Sequence, residues 1–311
     1  MIEIYKTEDG ILQKRDEISE GCWIAMTNPL ASELLDISER TNIDINHLRS
    51  PLDEEERARI EVEDNYTVIL VDIPTLEKAH EKERYITIPL GIIVSKDYLI
   101  TVCLEDTPIL KYFKDGRVRD FYTFKRTRFI LQILYRNATT FLQNLRTIDR
   151  KSDEIERKLH ISTQNSELID LLYLEKSLVY FTTSLRSNEV VLEKMMRIES
   201  IKRYPEDEDL LEDVIIENKQ AIEMANIYSG ILSGTMDAFA SIISNNQNIV
   251  MKFLAAITIV LSIPTMIASF YGMNFVEIPG GKHPYGFIIV TLAALLITVI
   301  TVFIFRKRKL F

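Results

Sequence analysis

The sequence has few of the residue patterns that mark enzymes and disulfide-stabilised proteins. It contains two cysteines, Cys22 and Cys103, both in apolar, strand-like surroundings, and we expect buried free thiols because a cytosolic setting keeps thiols reduced. The four histidines show no metal-ligand spacing with one another. There is also no Gly-rich phosphate loop, nucleophile elbow or zinc-protease helix motif. These absences predict a protein that is not an enzyme and uses no organic cofactor.

Basic residues are fewer than acidic ones, with 37 Lys and Arg against 46 Asp and Glu and a formal net charge of -9. So acidic a chain is a poor partner for nucleic acid, whereas it attracts divalent cations. The first ten residues are acidic and have no apolar core, so we expect no cleaved signal peptide.

Long uncharged runs occur at two places, residues 253–271 and 285–305. Each can cross a bilayer core of roughly 30 Å as a helix, so we predict two transmembrane helices in contact with membrane lipid. Four basic residues, 306–309, follow the second run, whereas Lys282 is the one Lys or Arg in the loop between the runs. By the positive-inside rule, we expect the C-terminal tail to lie in the cytosol. Two spans return the chain to the side on which it began, so we expect the N-terminus to be cytosolic as well. The lack of a targeting segment favours a prokaryotic plasma (inner) membrane.

The first membrane run carries a stripe of mostly small or polar residues. They recur at alternating steps of three and four, which places them on one face of a helix. The stripe comprises Asn248, Met251, Ala255, Thr258, Ser262, Thr265, Ser269 and Gly272. The spacing alone fits two interpretations equally: close packing between membrane helices, and the lining of an aqueous path. Met251 and the neighbouring Leu254 suit either an apolar gate at the inner end or ordinary packing.

The same rhythm continues upstream of the membrane run. It passes through small or acidic residues, namely Ser244, Ser241, Asp237, Gly234 and Gly230. We interpret these residues as the inner wall of a helical stalk, with an exposed helix face as the alternative.

The stripe ends in the string Tyr271-Gly272-Met273-Asn274-Phe275. Glycine commonly stops a helix because it adopts left-handed conformations freely. We expect the last carbonyls of the helix to lack partners there, in a region of partial negative charge. Several such ends around one axis, with the Asn274 amide oxygen, make an oxygen-rich mouth that suits a cation.

YGMNF between two C-terminal hydrophobic segments, with NIVMK before it and a basic RKRKLF tail after it, resembles the CorA family of magnesium channels. The resemblance is strongest over about the last 80 residues and looser over the rest. It implies a funnel-shaped homopentamer that carries Mg²⁺, often passes Co²⁺ or Ni²⁺, and holds hydrated Mg²⁺ at a selectivity mouth formed by Gly272, Met273 and Asn274.

The order of sequence patterns predicts a cytosolic α/β domain with a mixed sheet covered by helices, followed by a long-helix stalk and the membrane spans. Strands are expected at 22–26, 66–73, 86–94 and 98–104, with helices over 31–58 and Asp44 as a helix cap. From Phe124 the pattern is helical, and one helix should run from Pro205 to 271. The predicted limits are 1–120 (α/β domain), 121–252 (stalk), 253–271 (first span), 272–284 (outer loop), 285–305 (second span) and 306–311 (tail).

Two helices cannot enclose a hydrated cation, so copies of the chain must form a ring, which is usually closed and symmetric. The membrane potential supplies about 4.6 kcal/mol per 100 mV to an entering divalent ion, so no ATP site is needed. We therefore predict a divalent-cation channel for Mg²⁺ uptake. The alternatives are a zinc or transition-metal transporter of the same family, and a non-conducting membrane-anchored scaffold or sensor.

Acidic clusters suggest control by intracellular Mg²⁺ bound between protomers. The clusters lie at 53–56 and in 206–217, and a cation would relieve their repulsion. The resemblance places Asp213 in a regulatory metal site and Asp237 at an acidic stalk position. It places Arg49 and Ser50 where the family often has Glu and Asp. Either the acids at 53–56, with Asp53 and Glu54 as the candidates, substitute for them, or regulation differs here.

Overall fold

The structure is a computed structural model that describes residues 1–79, 82–161, 165–197, 205–273 and 284–308. The chain divides into two compact units, Met1–Thr235 and Met236–Phe311. The first contains a sheet with its covering helices, and the second contains two long apolar helical segments.

The first unit is built on a seven-stranded mixed sheet in the order β2-β1-β3-β7-β6-β5-β4. β3 and β7 are parallel, whereas the other neighbouring strands are antiparallel. The strands are β1 (Ile2–Glu8), β2 (Ile11–Arg15), β3 (Cys22–Thr27), β4 (Arg59–Val62), β5 (Tyr66–Ala79), β6 (Lys82–Ser95) and β7 (Tyr98–Cys103). The predicted mixed sheet is confirmed.

The β6–β7 hairpin forms where the sequence predicts it. The Ser95 hydroxyl accepts the backbone N–H groups of Asp97 and Tyr98 at 3.3 and 3.2 Å, which stabilises the turn. β5 and β6 extend further than predicted, to Ala79 and from Lys82, because their backbones pair continuously through a polar stretch that has no strand-like alternation.

Seven helices occur in the described residues. They are α1 (Ala31–Thr41), α2 (Ile45–Arg49), α3 (Pro108–Lys114), α4 (Arg126–Ile161), α5 (Asn165–Met195), α6 (Pro205–Tyr271) and α7 (Gly286–Lys307). Asp44 caps α2 as predicted, accepting the Asn46 N–H at 2.8 Å. The prediction of helix as far as residue 58 is wrong. After a 3₁₀ turn (Ser50–Leu52), the Asp53 side chain accepts the Glu55 N–H at 3.0 Å, a local bond that competes with helical pairing.

Both faces of the sheet are buried at its central strands, such as β3 and β7. Alternation along β3 sends Trp23 and Ala25 to one face and Ile24 and Met26 to the other. Trp23 packs edge-on against Phe129 of α4, with ring centroids 5.1 Å apart, while the opposite face meets α1 and α2. The predicted burial of both cysteines as free thiols is confirmed.

In the part of the chain that the structure describes, two helices are long and apolar enough to cross a membrane. The best 18-residue windows, within 206–271 and Gly286–Lys307, have mean hydropathies of 2.1 and 3.0. Only 6% of each window is buried inside the chain, whereas the core helix of a soluble protein is mostly buried. Both segments therefore have the surface of membrane helices.

Candidate functional site: an exposed polar stripe on a membrane helix

From Thr258 to Ser269 the polar stripe lies on the side of α6 that faces away from α7, whereas its last member, Gly272, lines the space between the two helices. Thr258, Ser262, Thr265 and Ser269 are exposed. The residues two positions earlier or later, Ala256, Val260, Ile263 and Ile267, are buried or half-buried. A step of two residues is a rotation of about 200° around a helix, so the two rows occupy opposite faces. Packing between the two helices of one chain therefore does not explain the stripe.

The packed side of α6 forms an apolar cleft with α7. This cleft has a volume of about 620 Å³, and its lining includes Pro264 and Ile267 from α6 with Ala294 and Thr298 from α7. Pro264 lies inside the helix, on the cleft side rather than on the stripe. The proline therefore leaves the hydroxyl row intact.

The stripe hydroxyls bond to the helix that carries them. Thr258 Oγ1 donates to the Leu254 carbonyl at 2.8 Å, Ser262 Oγ to the Ile259 carbonyl at 2.8 Å, and Thr265 Oγ1 to the Leu261 carbonyl at 2.9 Å. A hydroxyl has one donor and two acceptor lone pairs, so each of these oxygens still presents acceptor capacity. The row therefore offers oxygen acceptors along one edge of the helix.

A shallow groove follows this edge. Its volume is about 560 Å³, and it is lined by Thr258, Leu261, Ser262, Thr265, Met266, Ser269 and Phe270. A lining that combines hydroxyl oxygens with large apolar side chains suits a wet path beside a hydrophobic contact.

The inner end of the stripe exposes apolar side chains. Met251 is 64% exposed and Leu254 is 52% exposed, and Asn248 and Ala255 are also exposed. Upstream, Asp237 and the other four residues assigned to the stalk wall are exposed as well. The whole predicted face is therefore available to other molecules.

The helix ends differently from the prediction. Gly272 does not adopt the left-handed conformation, since its φ lies outside the positive range found at three other glycines. Its N–H instead donates to the carbonyls of Ala268 and Ser269 at 2.9 and 3.1 Å, and the Met273 N–H donates to Phe270 at 3.5 Å. The expectation that the last carbonyls lack partners is therefore wrong for these three, because the backbone continues the right-handed turn. Asn274 lies outside the described residues.

The candidate regulatory acids are all exposed. Asp213 lies on α6, Asp53 and Glu54 lie in the turn after the 3₁₀ segment, and Asp237 lies further along α6. Nothing in the described contacts joins them into one site within a single chain. Arg49 ends α2, where it too is exposed.

One acid of the cluster in 206–217 is not available to bind a metal ion between protomers. Asp207 is buried at 3% exposure and accepts a hydrogen bond from the Arg128 guanidinium of α4 at 3.5 Å. Glu206 lies 3.8 Å from the same guanidinium but is largely exposed. Asp207 therefore fixes α6 to α4 and does not face a neighbouring molecule.

A further group of potential metal ligands was missed in the sequence. Ligand atoms of His47, Glu61 and Glu63 lie within 4.8 Å of one another. Glu61 and Glu63 are two residues apart at β4, a spacing that places strand side chains on one face and gave a partial signal. The contact with His47 depends on how α2 packs beside the sheet, which the sequence did not reveal.

Comparison with known proteins then decides the family. A family model described as CorA-like Mg²⁺ transporter protein matches residues 19–307. The chain belongs to this family. Membership in the CorA family confirms the predicted resemblance, makes the protein a membrane-bound divalent-cation transporter, and confirms the prediction that it is not an enzyme.

CorA relatives match over nearly the full chain. The cobalt/magnesium transport protein CorA of Methanocaldococcus jannaschii is 28% identical over 320 residues, covering 99% of this chain and 98% of the relative. The protein of the same name from Thermotoga maritima is 26% identical over 315 residues, covering 98% and 88%. The solved complete CorA magnesium transporter from M. jannaschii has a TM-score of 0.84 at 26% identity, over 99% of this chain and 98% of that one. The predicted fold class is thereby confirmed.

Proposed function

We propose that this chain is the subunit of a homopentameric channel that takes up Mg²⁺, and also Co²⁺ or Ni²⁺, along the stripe of α6. One observation carries the proposal: the hydroxyl row is exposed on the face opposite α7, with its protons engaged by the helix. Gly272, Met273 and Asn274 form the outer mouth in this proposal, and Met251 and Leu254 form the inner constriction.

The hydroxyl geometry suits an ion that keeps its water. Mg²⁺ dehydrates reluctantly, and the water molecules around it direct their hydrogens outward. Oxygens whose own protons bond to helix carbonyls accept those hydrogens without competing as donors. The span contains no carboxylate, which would hold the ion too tightly for rapid exit.

A single stripe lines only one side of a path, so the proposal requires several copies around an axis. In this arrangement the N- and C-termini are cytosolic, the protein lies in the plasma membrane, and the inside-negative potential drives uptake. In this proposal, residues 1–120 form the α/β domain, 121–252 the stalk, 253–271 the first span, 272–284 the outer loop, 285–305 the second span and 306–311 the tail.

Mg²⁺ flux into proteoliposomes of purified protein tests this function. With an inside-negative potential, wild type should carry Mg²⁺, and Asn274→Ala should lose most of the flux. A triple variant, Thr258→Val with Ser262→Ala and Thr265→Val, removes three acceptors worth about 0.5–1.5 kcal/mol each and should slow flux by at least about tenfold.

Thr301→Val is the matched control. Thr301 makes the same bond to a helix carbonyl, at 2.9 Å, but lies on α7. It should conduct like wild type. A wild-type protein without flux would favour a scaffold or sensor, and Zn²⁺ flux that persists in excess Mg²⁺ would favour the transition-metal transporter.

We further propose that intracellular Mg²⁺ bound between protomers at Asp213, with Asp237, Asp53 and Glu54 as the other candidate acids, closes the channel. The support is that these acids are exposed and have like charge, so a cation between copies relieves their repulsion. Asp213→Lys should weaken inhibition of flux by internal Mg²⁺. Asp207→Asn is the matched control on the same helix: it should lower the unfolding temperature and leave the inhibition intact. Unchanged inhibition in Asp213→Lys would reject the role of Asp213.

A further inference from the structure

A histidine and two glutamates converge at the outer edge of the sheet. His47 lies on α2, Glu61 on the edge strand β4, and Glu63 directly after that strand. One nitrogen and two carboxylate oxygens from these residues lie within 4.8 Å of one another. The cluster joins two elements of the first unit and contains none of the acids considered for regulation by Mg²⁺.

The spacing of the ligand atoms fits a small divalent ion. His47 Nε2 and Glu61 Oε2 are 3.3 Å apart. Ligands about 2.0–2.1 Å from a tetrahedral Zn²⁺ ion are separated by about 3.3 Å, the edge of the tetrahedron. The separation of His47 Nε2 and Glu61 Oε2 therefore matches two ligands of one ion.

The histidine ring is held in a ligand-like orientation. Its other nitrogen, Nδ1, lies 3.0 Å from the Tyr66 hydroxyl, and the rings of the two residues meet edge to face. The Tyr66 oxygen also accepts the backbone N–H of Asp44 at 3.2 Å. Metal-binding histidines usually bond through their second nitrogen in this way, which fixes the ring and directs the first nitrogen at the ion.

Arg59 orients the carboxylate of Glu61. Its Nε donates to Glu61 Oε1 at 2.6 Å, so Oε2 is the oxygen that faces His47. Arg59 also pairs with Glu56, so its charge is shared between two carboxylates. Glu63 adds a second negative charge to the cluster, and a cation between Glu61 and Glu63 would relieve their repulsion.

We propose that His47, Glu61 and Glu63 bind a borderline divalent transition metal, with Zn²⁺ as the best fit. An imidazole nitrogen with two carboxylate oxygens is a donor set typical of Zn²⁺, whereas Mg²⁺ prefers oxygen ligands alone. The side chains of His47 and Glu61 are 19% and 36% exposed, and Glu63 is exposed, so an ion can enter from solvent.

A bound ion would fasten α2 to the edge of the sheet. α2 runs directly into the 3₁₀ turn and the acidic segment that holds Asp53 and Glu54. The ion would therefore restrain the chain that precedes these acids. The inference rests on the cluster alone and holds whether or not the protein conducts Mg²⁺.

Zn²⁺ binding to the purified, metal-stripped full-length protein tests the site. Equilibrium dialysis is performed in a large excess of Mg²⁺, which saturates sites built from oxygen ligands. Wild type should retain one Zn²⁺ per chain at this cluster. His47→Gln and Glu63→Gln should each weaken its binding by more than about 100-fold, beyond the 10–100-fold loss typical of an outer-shell partner. Tyr66→Phe should fall within that smaller range.

Asp64→Asn is the matched control, because Asp64 is an exposed acid next to Glu63 and outside the cluster. It should bind Zn²⁺ like wild type. Glu63→Gln changes an exposed side chain, so loss of binding in that variant does not reflect unfolding. Zn²⁺ should raise the unfolding temperature of wild type and Asp64→Asn equally, that of Tyr66→Phe less, and those of His47→Gln and Glu63→Gln least. Equal Zn²⁺ binding in all five proteins, or none in wild type, would overturn the proposal and leave His47 and Glu61 as an ion pair.

Discussion

Asp72 shows how the fold alters the chemistry of a single residue. It lies on β5, where its backbone carbonyl accepts the side-chain amides of Asn137 and Asn188, each at 2.8 Å. Burial raises the pKa of its carboxyl from 3.8 to about 6, and a hydrogen bond with Ser184 offsets part of this rise. The charged form is therefore disfavoured in the folded protein.

The pH dependence of stability should reveal this carboxyl. Because its folded pKa is raised, Asp72 contributes stability that is fully present below about pH 4 and lost as the pH rises through about 6. Asp72→Asn cannot ionise, so it should match wild type below pH 4 and exceed it at pH 7 by up to about 3 kcal/mol. Unfolding temperatures of the two purified proteins from pH 4 to 7 measure the difference. Parallel curves across this range would contradict the assignment.

Residue types alone did not distinguish acids that are buried in the fold from acids that are exposed to other molecules. Asp207 and Asp213 occur in the same acidic segment of α6, yet Asp207 is buried against Arg128 and Asp213 is exposed. Their different environments follow from which face of α6 packs on the rest of the unit. That packing involves residues more than 75 positions away in the chain, which local pattern cannot supply.

Among the secondary-structure elements, the 3₁₀ turn depends on one glycine of the sheet. The Pro51 ring lies directly over Gly91 of β6, so a Cβ at Gly91 would overlap Pro51 Cγ and lie 3.0 Å from Pro51 Cβ. Pro51 is buried, and the turn leads into Asp53 and Glu54. The absence of a side chain at Gly91 therefore sets the position of the acidic segment.

Substitutions at Gly91 and Pro51 should have coupled effects on the stability of the protein. Gly91→Ala overpacks the interface and should cost about 1–3 kcal/mol of stability. Pro51→Ala removes the overlapping ring atom, so Gly91→Ala should cost less in that background. Unfolding temperatures of the wild type, both single variants and the double variant give the coupling. Strictly additive effects would show that the two residues do not meet.

Elements with strong local signals were predicted well, and those that depend on distant contacts were not. Asp44 and the Ser95 turn mark the start of α2 and the β6–β7 hairpin through side-chain bonds to nearby backbone. α3 was missed although Thr107 caps it and Pro108 begins it, because seven residues give too little periodicity. The ends of β5 and β6 were missed because pairing, not alternation, extends them.

At the scale of the whole molecule, the second unit exposes two kinds of surface, one apolar and one polar. Apolar residues such as Leu292 and Phe303 on α7, 61% and 69% exposed, suit lipid. The row Thr258, Ser262 and Thr265 suits water and other copies of the chain. The sequence predicted this row from spacing alone, and the structure adds that the row lies away from α7. Its role as a pore lining remains our proposal.

The two native cysteines are buried, so single cysteine substitutions elsewhere can test that proposal. Cys22 and Cys103 are fully buried, and burial raises the pKa of both thiols, that of Cys103 to about 11. Because the thiolate is the reactive form, neither should react with a charged, water-soluble thiol reagent at neutral pH. Ser262→Cys and Phe303→Cys then introduce one new thiol each, the first on the stripe and the second on the exposed side of α7.

The most direct measurement is Mg²⁺ flux through these two variants in liposomes, before and after the charged thiol reagent. If copies of the chain surround a water-filled path lined by this row, the reagent stops flux through Ser262→Cys and leaves Phe303→Cys and wild type unchanged. If Ser262→Cys reacts no faster than Phe303→Cys and its flux persists, the stripe faces lipid or packed protein and the proposed conduction path is wrong.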